Sequence, residues 1–161
     1  MSVATIHYQT PPAIVIPVAE RANPLANAKV VVRDTGSVTT IGYGSFTPHV
    51  AKLRKLETDS SLWPAGSEPP SPDTVAWASI ILDHLADKGF APTCVVASAE
   101  GGTAVCFVEG DRYADIESLN SGVILGVLSR KQYRPVVWEI EQNVPGIARA
   151  VDRIRGFFKE S

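Results

Sequence analysis

Residues 93–140 leave a folding chain few options. Five short apolar or alternating runs follow one another there, at 93–97, 103–108, 112–117, 123–128 and 136–140. Between them stand turn signals: Ala99-Glu100-Gly101-Gly102, Glu109-Gly110-Asp111, Asn120-Ser121-Gly122 and the polar stretch 129–134. A parallel crossover needs about a dozen residues or more, and none of these connections has that length. The runs must therefore pair with their sequence neighbours as an antiparallel meander. In 112–117 the alternation puts Ala114 and Ile116 on one face and Tyr113, Asp115 and Glu117 on the other. Such a pattern leaves one side of a sheet facing water.

Two helices bracket the meander. Glu68-Pro69-Pro70 is stiff and extended, because each proline biases its predecessor away from helix. Ser71 then reads as an N-cap and Pro72 as the first helical residue, where a missing N–H costs nothing. Asp73 sets a negative charge against the positive end of the helix dipole. Val75, Ala78, Leu82 and Leu85 form an apolar face that Trp77 and Ile81 widen, and Gly89 suits a left-handed stop. A second helix starts at Asn143 or Val144 and carries the stripe Ile147, Val151, Ile154 and Phe158. The expected fold is α+β: an antiparallel β-meander with two helices packed on one face.

Ahead of this lies a more irregular part. Ala4, Ile6 and Tyr8 alternate, and Pro11-Pro12 interrupts. Residues 13–18, with Ile14 and Ile16, are strand-like but contain Pro17, which favours a sheet edge. Residues 29–33, the turn Asp34-Thr35-Gly36-Ser37 and residues 38–41 predict a hairpin extension. Residues 48–57 predict a short helix with Val50, Leu53 and Leu56 as a narrow stripe, and Trp63 anchors the connection after it. A soft boundary near residue 65 divides a β-rich extension or small subdomain, 1–65, from an α-β-meander-α domain, 66–161.

Function is bounded mainly by subtraction. Net charge is −2, which gives no bulk attraction to nucleic acid or anionic membrane. Arg149, Arg153, Arg155 and Lys159 on the last helix are read as solubilising cations rather than a phosphate-binding stripe. No apolar run reaches the roughly 18 residues of a membrane span. The absence of a charged start and an apolar h-region points to the cytoplasm. Cys94 and Cys106, on neighbouring predicted strands, are then expected as reduced core residues. Asp83, His84 and Asp87 share a helix, but a zinc site needs three or four ligands, so neither a metal nor a cofactor is expected. Gly-x-Ser-x-Gly and phosphate-loop patterns are absent.

From Trp63 to 158 the punctuation resembles a group of small, largely uncharacterised bacterial proteins. The resemblance rests on Trp63, Pro69-Pro70-Ser71-Pro72, Pro92, Gly101-Gly102, Phe107, Gly110 and Ile116-Glu117. Members carry a Trp-Asp-Gly-Tyr-Gly-Ala-like segment before a Pro-Pro-Ser-Pro-like helix start, and many stand in toxin–antitoxin-like gene pairs. Here Pro64-Ala65-Gly66 follows Trp63, so the Asp and Tyr of that segment are missing. The resemblance implies a neutraliser of a partner protein and carries no catalytic residues.

The sequence thus favours a non-catalytic protein-binding module, antitoxin- or immunity-like. Its contact surface would be Tyr113, Asp115 and Glu117, with Ile14 and Ile16 on the N-terminal segment, facing a basic toxin encoded by a neighbouring gene. Two alternatives belong beside it. One is a small-ligand binder or enzyme sited at Tyr113, Asp115 and Glu117 with a residue such as His49. The other is an assembly subunit, a homo-oligomer exchanging its N-terminal strand.

Overall fold

A computed structural model describes residues 46–159. The expected N-terminal hairpin, with Ile14 and Ile16, lies outside the described residues. Helix α1 (Thr47–Leu56) and a 3-10 turn (Ser60–Leu62) come first, then helix α2 (Pro72–Asp87). Strands β1 (Cys94–Ala97), β2 (Gly102–Glu109), β3 (Arg112–Leu119), β4 (Ile124–Arg130) and β5 (Val136–Glu139) follow, and helix α3 (Val144–Lys159) ends the series. The strands lie in sequence order, β1-β2-β3-β4-β5, and every neighbouring pair is antiparallel. This is the α+β meander that the short turns require. Among the described residues, no helix is long and apolar enough to cross a membrane.

The helices share one face of the sheet. Ala78, Ile81, Leu82 and Leu85 of α2 and Ile147, Val151 and Ile154 of α3 are buried in one cluster with Val95, Val105, Phe107, Ala114, Ile116 and Ile124. That layer also holds the short helix expected over 48–57, which the sequence assigns to the extension rather than to this layer. Helix α1 adds Leu53 and Leu56, with Phe46 just before it, to the same cluster. The indole N–H of Trp63 donates to the Leu56 carbonyl at 2.8 Å, so the tryptophan satisfies an orphan acceptor where α1 ends. A stripe of three apolar residues is narrow for a free helix, and packing against α2 and β1 supplies what propensity does not.

The α2 entrance is tied to the sheet by side chains. Ser71 Oγ accepts from the Thr74 N–H at 3.4 Å and caps the helix. Asn120, in the β3–β4 turn, accepts from the Ser71 N–H and donates to the Pro69 carbonyl, both at 2.9 Å. The buried Thr103 hydroxyl donates to the Thr74 carbonyl at 3.0 Å. These bonds set the angle at which α2 lies on the strands. On β4, Gly126 faces the helix layer, and a Cβ there would fall 2.2 Å from the Trp138 ring. The absent side chain lets Trp138 lie across the strand, with Arg153 of α3 stacked 4.0 Å from the ring centroid.

Candidate functional site

With the helices on one face, antiparallel register orders what stands on the other. One row across the sheet reads Cys94, Cys106, Asp115, Val127 and Val137. The next reads Val96, Ala104, Glu117, Leu125 and Glu139. A third holds Val108, Tyr113 and Ser129. Among the described residues no helix packs on this side. Val108 and Val137 are 54% and 58% exposed, and Val96 and Tyr113 are also open to solvent. The face is apolar at its margins and polar at its middle.

The middle is a hydrogen-bonded cluster. The Tyr113 hydroxyl donates to Asp115 Oδ2 at 2.5 Å and lies 3.8 Å from Cys106 Sγ. The Ser98 hydroxyl donates to Glu117 Oε1. Asp115 is only 8% exposed, and its Oδ1 has no hydrogen-bond partner. A buried acceptor without a donor is destabilising, and native structures keep few of them.

The electrostatics follow from that burial. Asp115 is held above the usual carboxylate range by desolvation, with the Glu117 charge adding to the effect and the Tyr113 bond opposing it. Burial pushes the Tyr113 hydroxyl up as well, and its bond to Asp115 pushes it further. The Cys106 thiol is pushed up to about 12, first by burial and then by Cys94 beside it. Nucleophilic catalysis needs the opposite shift, a thiol or hydroxyl made easier to ionise. At neutral pH this cluster keeps its thiol and phenol protonated. What it offers is a set of hydrogen-bonding groups around one poorly solvated carboxylate.

The sequence expectations meet the structure unevenly. Tyr113, Asp115 and Glu117 do share the helix-free face. Asp115, expected as part of a solvated face, is instead sunk into it, with its Oδ2 taken by the Tyr113 hydroxyl. Cys94 and Cys106, expected as reduced core residues, are both free thiols and Cys106 is buried, but Cys94 is only partly so and the pair stands on this face, outside the helix-backed cluster. Ser98 was overlooked as a partner of Glu117, although period two from Val96 already places it on the same side. His49 sits on α1, in the layer behind the sheet and away from Asp115. Its imidazole is held below the usual value by burial. Asp83, His84 and Asp87 lie on α2, and among the described residues no group of three or more His, Cys, Asp or Glu side chains is placed to hold a metal ion. Two of the α3 cations are engaged within the chain: Arg149 pairs with Glu141 at 2.8 Å, and Arg153 covers Trp138. Comparison with protein-family models, with curated proteins and with solved structures yielded no match.

Proposed function

We propose that this protein is a non-catalytic binding module whose helix-free sheet face takes a basic protein surface, in the manner of an antitoxin or immunity protein. The observation that carries the reading is the face itself, where exposed Val96, Val108 and Val137 stand among the carboxylates of Glu117 and Glu139. An arginine or lysine of the partner pairs with the carboxylates that remain accessible, Glu139 and Glu117. Its alkyl stem and apolar neighbours cover the valines, so the polar centre and apolar rim are satisfied by one kind of surface. Glu117 and Glu139 in the adjacent row set the sign of the encounter. The raised protonation range of Tyr113 and Cys106 weighs against a nucleophilic enzyme on the same face. The resemblance of residues 63–158 to proteins from toxin–antitoxin-like gene pairs supports the class of partner.

The test is titration against the protein encoded next to this gene, with three variants. Glu139→Ala is expected to weaken binding by up to about 1 kcal/mol, as for an accessible charge pair. Val108→Ser with Val137→Ser should weaken it by at least about 1 kcal/mol. Both of those valines are so exposed that stability should move by less than about 0.5 kcal/mol. Glu117→Lys should slow association and blunt its dependence on salt. If all three bind as the parent does, the face is wrong. If the protein turns over or retains a small molecule instead, the ligand-binder or enzyme reading replaces this one.

A further inference from the structure

We propose that Cys94 and Cys106 are a modification site, a thiol pair that a peroxide converts into a reversible cross-strand disulfide between β1 and β2. The two residues are register partners on adjacent antiparallel strands and point to the same, helix-free face. Directly opposed residues in such a ladder have Cα atoms about 4.5–5.5 Å apart, inside the roughly 4.4–6.8 Å span that a disulfide bridges. Both thiols are free, and they lie against one another. They are the only two cysteines in the chain, so an internal bridge has one possible connectivity.

The surroundings divide the roles. Cys94 is partly exposed and Cys106 is buried, so an oxidant in solution meets Cys94 first. The Cys94 thiolate attacks one peroxide oxygen, the O–O bond breaks, and a sulfenic acid and hydroxide result. Cys106 sulfur then attacks the Cys94 sulfur, the S–O bond breaks, and the departing hydroxyl leaves as water with the proton that Cys106 gives up. Overall, two thiols and one peroxide become one disulfide and two waters. The Cys106 thiol, with its protonation range pushed up to about 12, is a slow second nucleophile. The sulfenic acid on Cys94 should therefore persist long enough to be trapped. The bridge would also draw the Cys106 sulfur, which the Tyr113 hydroxyl touches, into a bond along the β1–β2 ladder. This inference does not depend on the partner proposed above.

The experiment exposes the full-length protein to hydrogen peroxide, then alkylates and reads intact mass and peptide maps. The expected product has lost two hydrogen atoms, no longer alkylates, joins the Cys94 and Cys106 peptides, and reverts with dithiothreitol. Cys106→Ser should stop at a sulfenic acid on Cys94 that dimedone captures, and Cys94→Ser should stay largely unmodified over the same time. Circular dichroism of both variants confirms that they are folded. The proposal is overturned if the treated parent keeps two alkylatable thiols, if the product is a disulfide between two copies, or if Cys106 is oxidised as fast in Cys94→Ser as Cys94 is in the parent.

Discussion

A single carboxylate carries much of the chemistry here, and its protonation is tied to stability. Asp115 holds its proton to higher pH in the folded protein than in the unfolded chain, whose ordinary value is 3.8. Between those two values the folded state binds more protons, so stability falls as pH rises through that window. Above the folded value the destabilisation is complete, and in acid below the unfolded value it disappears. Asp115→Asn has no such titration. Its melting temperature relative to the parent should therefore be more favourable at neutral pH than near pH 3.8. A difference that is the same at both pH values would mean that Asp115 is not desolvated. Tyr113 also acquires a structural duty from this geometry, since its hydroxyl is the donor to Asp115 Oδ2. Tyr113→Phe should cost about 1–3 kcal/mol at neutral pH, as when a buried acceptor is left unpaired, measured by urea unfolding. No loss would show that the 2.5 Å bond has little weight.

Elements in this fold are held by a few close fits. Leu82 is 2% exposed, in the α2 face that the sequence spacing defines. Leu82→Ala should lose about 2–5 kcal/mol, and a loss below about 0.5 kcal/mol, typical of a surface position, would place the wrong side of α2 on the sheet. Gly126 is a sharper probe, because nothing in the local pattern of β4 demands it. Gly126→Ala puts a methyl 2.2 Å from the Trp138 ring and should cost about 1–3 kcal/mol as overpacking. In a Trp138→Ala background the same change should cost almost nothing, a coupling that unfolding of the four proteins in a double-mutant cycle measures. Equal costs in both backgrounds would mean that the ring does not lie over Gly126.

At the scale of the molecule, layering decides what is available to a partner. Among the described residues, three helices lie on one face and the other is left to the side chains of the strands. A net charge of −2 is too small to steer a partner from afar, so attraction must come from the local carboxylates Asp115, Glu117 and Glu139. Association with a basic partner should slow as ionic strength rises, because exposed charges are screened beyond about 8–10 Å at physiological salt. Dissociation should change less, since accessible charges act mainly on the encounter. Stopped-flow kinetics over a salt series read both rates, and an association rate indifferent to salt would remove the electrostatic part of the reading.

The sequence by itself determined the meander, the two longer helices and the sidedness of β3. Short turns forbid crossovers, and alternation with period two or three to four is a local property of the chain. Tyr113, Asp115 and Glu117 could be placed on one face for that reason alone. Burial, by contrast, is a property of neighbours. Whether Asp115 meets water depends on side chains from β2 and β4, and whether 47–56 joins the core depends on α2 and β1. The fit of Trp138 over Gly126 joins residues 12 apart in sequence that only register brings together. The placement of Cys94 opposite Cys106 on the face away from the helices was likewise decided by which face of β2 the helices cover. The tertiary structure settled these points because packing is a contest between elements, and no short stretch of chain contains both contestants.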